Sequence, residues 1–353
     1  MKILPLLLLA IQLAVQTHDD HSYETTIFLN PETSAFLGRP AEIQADEGSL
    51  YFYDAAFTQI TNVDTTGEKQ FAFGREGSGP GEFRGVSGFW VFEDRYMIYD
   101  YNSFRFNTYH KDGQPDEDIT IDENPIDPDR WPPAFPVGTV AVQPHKVLVP
   151  SRGIDGSLFG LVNIITGSVE LFGEAIGDYV ADYDGSEVDA AHSSGNIPEV
   201  MVNLVALDGN ESAIYSLQQT TGILQKFSHN GELLWEQDIR TSAQEGMFDQ
   251  MAEQNKRNVE YPEKSPVTYR YALDIEVHEE GVAVLLKMFD DDHPVTVVWV
   301  PSDGSTPEKL TYTGIRYDEF PGLGQPFSIS PEDATIYFLN FDDGEIRKAE
   351  WPL

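Results

Sequence analysis

The sequence predicts an all-β fold, a six-bladed β-propeller of four-stranded antiparallel blades, and three observations carry that prediction. First, five apolar runs, Leu50–Asp54, Tyr96–Asp100, Lys146–Pro150, Ser212–Leu217 and Val282–Lys287, are each followed, after a second apolar run, by a tight turn with glycine. Those glycines are Gly67, Gly113, Gly167, Gly231 and Gly304. Second, a sixth run, Thr335–Asn340, stands near the C-terminus with no such turn after it. Third, the sixth unit lacks an outer strand, and the N-terminus offers an unassigned one at Thr25–Asn30. Repetition of one pattern along a chain fixes architecture before any single residue is interpreted.

The elements follow in chain order. In the first unit the spacing predicts strands over Ala41–Gln44, Ser49–Asp54, Gln59–Asp64 and Lys69–Phe73, with turns at Asp46-Glu47-Gly48 and Thr65-Thr66-Gly67. The second repeats them over Ser87–Phe92, Tyr96–Asp100, Phe104–His110 and Pro115–Ile121. Later third strands fall at Leu158–Asn163, Ile223–Ser228 and Val295–Val300, and the sixth unit has Phe327–Ile329, Thr335–Asn340 and Glu345–Glu350. Period-2 alternation with β-branched and aromatic residues argues for strands, and Gly, Asp and Asn turns argue for antiparallel hairpins. Four strands in each of six units is propeller arithmetic, at roughly 56 residues per blade against the ~50 of kelch-type blades. Pairing of the first strand with the last blade closes the ring without a disulfide, and an open ring would leave unpaired edges.

The first residues read as an export signal spanning residues 1–16, leaving 17–353 as a single domain. Lys2 supplies the positive start, and Ile3 to Val15 form an apolar stretch interrupted by Gln12. That stretch is shorter than the about 20 residues a helix needs to cross a bilayer core. Ala14 and Gln16 flank the cleavage site loosely, and an uncleaved amphipathic start is the alternative. No later stretch is long or apolar enough to span a membrane. A periplasmic or extracellular location is expected, and a monomer.

The chain has no cysteine, which removes disulfides, zinc–thiolate sites, cysteine nucleophiles and a lipid on an N-terminal cysteine. Its 59 acidic and 22 basic side chains give a net charge of −37. Nucleic acid and anionic membrane surfaces are thereby disfavoured as partners. Self-repulsion of this size is eased by salt, whose screening length falls from ~10 Å at 0.1 M to ~3 Å at 1 M. The acids are spread along the chain, so a halophilic, salt-rich habitat explains them better than a functional patch. With 21 Phe, 16 Tyr and 5 Trp, the sequence is not a disordered acidic one.

Phe73 to Phe83, FGREGSGPGEF, followed by Tyr96-Met-Ile-Tyr-Asp100, resembles the blade boundary of NHL-type repeats. More narrowly, Ala41–His110 resembles the six-bladed propellers exported by many Bacteroidetes-like bacteria. The resemblance implies the fold and an exported location, and it brings no catalytic residues, since propellers host unrelated activities. Many such relatives are lipoproteins, whereas this chain lacks the cysteine.

Strand order puts the inter-blade connections and the turns between second and third strands on one face. The long segments Gly74–Val86, Asp122–Val137, Gly173–Val200, Ile239–Tyr271 and Gly314–Pro326 all emerge there. Long loops on a rigid scaffold carry function. Within Ile239–Tyr271, Ser242 and Glu245 form a capping-box pattern that predicts a short helix.

Of 12 arginines, nine fall in or beside these loops: Arg75, Arg84, Arg105, Arg130, Arg152, Arg240, Arg257, Arg270 and Arg316. Guanidinium groups grip carboxylate or sulfate bidentately. Arg75, Arg105, Arg130, Arg152, Arg270 and Arg316 are therefore candidate ligands for an anionic glycan or peptide, or an envelope protein. The bland reading is that each arginine neutralises a nearby acid. If neither Arg75 nor Arg152 lines a common cavity, the anion-site idea is to be dropped.

Acids recur at the ends of second strands: Asp54, Asp100, Asp290 and Asp342. Converging, they could hold calcium; singly, aspartate at a strand end caps the following turn. No other cofactor is expected. Asp182-Tyr-Asp184-Gly185 fails as a calcium loop, because the first and twelfth ligand positions would be Val180 and Ala191. GREGSGPG lacks the Lys-Ser/Thr pair of a phosphate loop, and no H-E-x-x-H or G-x-S-x-G occurs. The leading expectation is a non-catalytic binder with its site at the loop-rich mouth. The alternatives are a metal-assisted propeller enzyme of lactonase, hydrolase or lyase type using the strand-end acids, and a purely structural envelope component.

Overall fold

A computed structural model gives the architecture. It describes residues 21–120, 139–143, 145–150, 157–174, 203–207, 213–218, 222–228, 231–259, 272–286, 294–315 and 325–353. Two strands, β1 (His21–Glu24) and β2 (Thr26–Leu29), precede the first blade, which is β3 (Pro40–Asp46), β4 (Ser49–Asp54), β5 (Gln59–Asp64) and β6 (Lys69–Phe73). Blade 2 is β7 (Val86–Val91), β8 (Arg95–Asp100), β9 (Arg105–His110) and β10 (Pro115–Thr120). Blade 3 is β11 (Val140–Gln143), β12 (Lys146–Pro150), β13 (Ser157–Asn163) and β14 (Val169–Glu174). Blade 4 is β15 (Asn203–Leu207), β16 (Ala213–Gln218), β17 (Ile223–Ser228) and β18 (Leu233–Asp238), followed by the helix α1 (Ser242–Asn258). Blade 5 is β19 (Ala272–His278), β20 (Gly281–Leu286), β21 (Val295–Pro301) and β22 (Glu308–Thr313). Blade 6 is β23 (Phe327–Ser330), β24 (Thr335–Asn340) and β25 (Glu345–Glu350), with β2 as its outer strand.

The chain is thus a six-bladed propeller of antiparallel sheets. The five turn glycines all have φ between 70° and 85°, a region only glycine enters without strain. Each donates its N–H to the carbonyl three or four residues back, as Gly67 does to Asp64 at 2.9 Å and Gly113 to His110 at 2.8 Å. Second strands are buried on both faces because each blade packs between two others. In β4, Leu50 and Phe52 enter the core shared with blade 6, while Tyr51 and Tyr53 enter the core shared with blade 2. Polar side chains on the inner strands staple neighbouring blades. The Gln44 Oε1 atom accepts the Val91 N–H (3.1 Å), Ser328 Oγ accepts the Ala45 N–H (2.9 Å), and Glu276 accepts the Ile329 N–H (3.1 Å).

The N-terminal strands join blades 5 and 6. Antiparallel pairing sets Ile27 opposite Arg347, while β1, which the sequence reading left out, runs parallel to β22 and makes blade 5 five-stranded. Between them, Thr25 donates N–H and Oγ1–H to the Thr313 carbonyl (3.0 and 2.8 Å), and Arg347 donates to Thr25. The connection after β18 carries a helix, but at 17 residues α1 is longer than the short one expected, and its cap lies one residue earlier: Thr241 and Gln244 form the reciprocal capping box, not Ser242 and Glu245. Among the described residues no helix is long and apolar enough to cross a membrane.

Candidate functional site

The strand-end aspartates are anchors for the mouth. Asp54 and Asp100 are fully buried. Asp54 Oδ2 accepts the Gly38 N–H (2.6 Å), and its Oδ1 accepts the N–H groups of Arg39 (3.0 Å), Ala56 (2.9 Å) and Phe57 (3.3 Å). One blade on, Asp100 accepts the N–H groups of Arg84, Gly85 and Asn102, each at 3.1 Å, and the Ser103 hydroxyl at 2.6 Å. Each carboxylate therefore ties its own turn to the chain entering the blade, and a calcium ion would compete with four donors. The register counterpart of these two in blade 6 is Asn340, opposite Glu345 as Asp54 is opposite Gln59. Asp342 stands two residues farther on, exposed in the turn, so it does not occupy the strand end the sequence assigned to it. Asp290 lies outside the described residues. Among the described residues no group of three or more His, Asp or Glu is placed to hold a metal ion.

The arginines divide sharply. Arg75 is exposed and bonds Glu82 at 2.8 Å. Arg105 is nearly buried, pairs with Asp118 (3.3 Å) and donates to the carbonyls of Ser78 (3.1 Å) and Glu82 (2.5 Å). Both therefore pin the 74–86 connection. Glu82 is its hub: the Gly79 N–H and then Arg75 hold its carboxyl below the usual carboxylate range. The glycines let that loop close on itself; Gly74 has φ +81°, and a Cβ there would lie 2.3 Å from the Phe83 ring. Arg95, Arg240 and Arg347 pair with Asp94, Asp238 and Glu345, and Arg257 on α1 bonds the Glu253 carbonyl. Arg130, Arg152, Arg270 and Arg316 lie outside the described residues.

Two arginines remain, and they share a cavity. Arg39 and Arg84 are exposed and have no carboxylate partner among the described residues; Arg84 donates to Ser78 Oγ. Both line a cleft of about 520 Å³ at the mouth, walled by Tyr53, Tyr101 and Phe341. Their backbone N–H groups are the ones Asp54 and Asp100 hold, so the repeated aspartate aims an arginine over the boundary between blades 1 and 2. The Tyr53 hydroxyl is pushed up to about 12, by burial and then by the charge of Glu42, with Arg39 opposing. It therefore stays a neutral donor.

Arg84 is one of the nine loop arginines but not one of the six candidate ligands, and Arg39 is in neither set because the loops considered begin only after blade 1. Once β2 is the outer strand of blade 6, residues 31–39 are themselves an inter-blade connection, equivalent to 74–85. Glu42, directly opposite Tyr53 in the β3–β4 register, carried no local signal at all.

A second cavity, of about 730 Å³, opens among the tight turns of blades 5, 6 and 1, on the other face. Its lining includes Asp46, Glu47, Glu279, Glu280 and Glu332 beside Trp299. His278 approaches Glu276 at 3.5 Å within it.

No family model matches the sequence, and no curated protein matches it. Among solved structures, a Bacteroides fragilis protein described as exported is similar over 95% of this chain and 96% of its own, at 13% identity and a TM-score of 0.53. A member of the DUF4221 family from Bacteroides vulgatus covers 94% of each chain at 11% identity, TM-score 0.54. A streptogramin B lyase covers 93% of this chain and 97% of its own at 12% identity, TM-score 0.51. At these identities the shared property is the fold.

Proposed function

We propose that this chain is an exported, non-catalytic propeller that binds an anionic ligand, a carboxylated saccharide, in the mouth cleft between blades 1 and 2. The observation that carries the reading is the pair Arg39 and Arg84. In a chain with 59 acidic and 22 basic side chains, a guanidinium with no carboxylate partner among the described residues is unexpected, and two of them line one aromatic-walled cavity. Carboxylates bind such pairs through charge-assisted hydrogen bonds, and sugar rings stack on Tyr and Phe faces. The apolar N-terminal run supports export, and the acidic surface suits a salt-rich medium.

Isothermal titration of trigalacturonate at pH 6 and 0.1 M salt tests it. Arg39→Ala and Arg84→Ala should each weaken binding about tenfold, the value of roughly 1.5 kcal/mol for a hydrogen bond to a charged group. Arg75→Ala, which loses only the Glu82 pair, should leave affinity within about twofold. Unchanged affinity in the Arg39→Ala, Arg84→Ala double variant would remove the cleft from consideration.

A further inference from the structure

Beneath the cleft lies a buried acid with little to satisfy it. Glu42 is 1% exposed, and among the described residues neither carboxyl oxygen makes a hydrogen bond of normal geometry, the Phe89 amide alone weakly favouring its charged form. It follows Ala41, which lines the cleft, and stands opposite Tyr53, which forms its wall. The β3 strand is irregular here, slipping register between Pro40 and Glu42, the kind of bulge that re-aims a side chain.

We propose that Glu42 sets the charge selectivity of the mouth cleft: neutral, it lets a carboxylate sit between Arg39 and Arg84, and ionised, it rejects one. This rests on the anion-binding reading above and adds its control.

The surroundings favour the neutral form. On β4, Glu42 faces Tyr53, whose hydroxyl responds to its charge. The β7 strand offers backbone amides and no titratable side chain. On the opposite face of the sheet, β23 has no titratable group, and Tyr337 of β24 packs with Ile43. Across the channel, β19 presents Asp274, half-buried, with Oδ2 unpartnered among the described residues and its carboxyl raised well above the usual range by desolvation, then by Glu276 and Glu42. Asp54, at the end of β4, spends its charge on four N–H donors. Among the described residues the cations on this side are Arg39 and Arg84, both at the rim of the cleft. Burial pushes the Glu42 carboxyl up to about 8, and the Phe89 amide opposes that only in part. If a bound carboxylate lies ~10 Å away, a charge appearing there at an effective dielectric of ~20 would weaken binding about tenfold.

The experiment is trigalacturonate affinity from pH 6 to 10, over which the ligand stays ionised, for wild type, Glu42→Gln and Asp274→Asn. The expected result is an about tenfold loss in wild type with a midpoint near 8, a flat profile in Glu42→Gln, and a retained fall in Asp274→Asn. Should Glu42→Gln fail to fold, wild type titrated near pH 8 in buffers of different ionisation enthalpy must show proton uptake on binding. The same pH profile in Glu42→Gln as in wild type overturns the role of Glu42 and leaves the cleft intact. A flat profile in Asp274→Asn alone moves the role to Asp274 and overturns it too. Absence of binding even at pH 6 sinks the anion-binding reading, and this inference with it.

Discussion

The two cavities of the ring are built by one repeated skeleton and hold opposite charge. At the mouth, strand ends carry buried aspartates that accept backbone N–H groups and, at Asp100, the Ser103 hydroxyl, and the two arginines above them have no carboxylate partner among the described residues. On the tight-turn face Glu47, Glu279, Glu280 and Glu332 sit exposed on the hairpin turns themselves. The difference teaches that a net charge of −37 says little about any one site. What matters is whether an acid is consumed by N–H donors or left facing solvent.

The largest effect should come from breaking the mouth frame. Asp54→Ala or Asp100→Ala strands four donors apiece, and each should cost about 3 kcal/mol or more in urea unfolding. Loss of the cleft's anion binding should accompany it, while the opposite cavity keeps its shape. A cost below about 1 kcal/mol would mean that water replaces the aspartates easily.

Next in size is the pH dependence from Glu42. Its folded-state pKa is raised, so the native state holds a proton that the unfolded chain has already released above its ordinary carboxylate range. Stability from this group is therefore full at acid pH and falls as pH rises from about 4.5 to about 8, by on the order of 1 kcal/mol per pH unit. Glu42→Gln should flatten that limb of a pH series of urea unfolding curves. An unchanged slope would show that the carboxyl is solvated in the native protein.

The smallest effect sharpens the other side of the contrast. Changing Glu279, Glu280 and Glu332 to glutamine should raise thermal stability in 0.1 M salt by a few tenths of a kcal/mol each, with a smaller gain at ~3 M. Trigalacturonate binding at the mouth should not change. Equal gains at both salt concentrations would argue against charge repulsion as the cause.

Much of the skeleton was legible in the sequence because local chemistry dictates it. Gly67 and its four counterparts need positive φ, and the alternating apolar residues of Leu50–Asp54 serve two cores at once. The site was legible only in part. Asp54 and Asp100 stood out as recurring residues, yet whether they hold a metal or a backbone depends on donors 15 and 16 residues earlier in the chain. Arg75 and Arg105 were found by type and position, but their partners Glu82 and Asp118 meet them only in the folded loop. Arg39 required knowing where the ring closes. Glu42 required knowing which face of β3 turns inward after an irregular step, a property no single-strand pattern reveals.

The most direct measurement is a crystal structure of the protein grown with trigalacturonate at pH 6. A ligand carboxylate within hydrogen-bonding distance of both Arg39 and Arg84, with a sugar ring against Tyr53 or Tyr101, is the predicted result. An empty cleft at saturating ligand, or the ligand seated among arginines elsewhere on the ring, would contradict it.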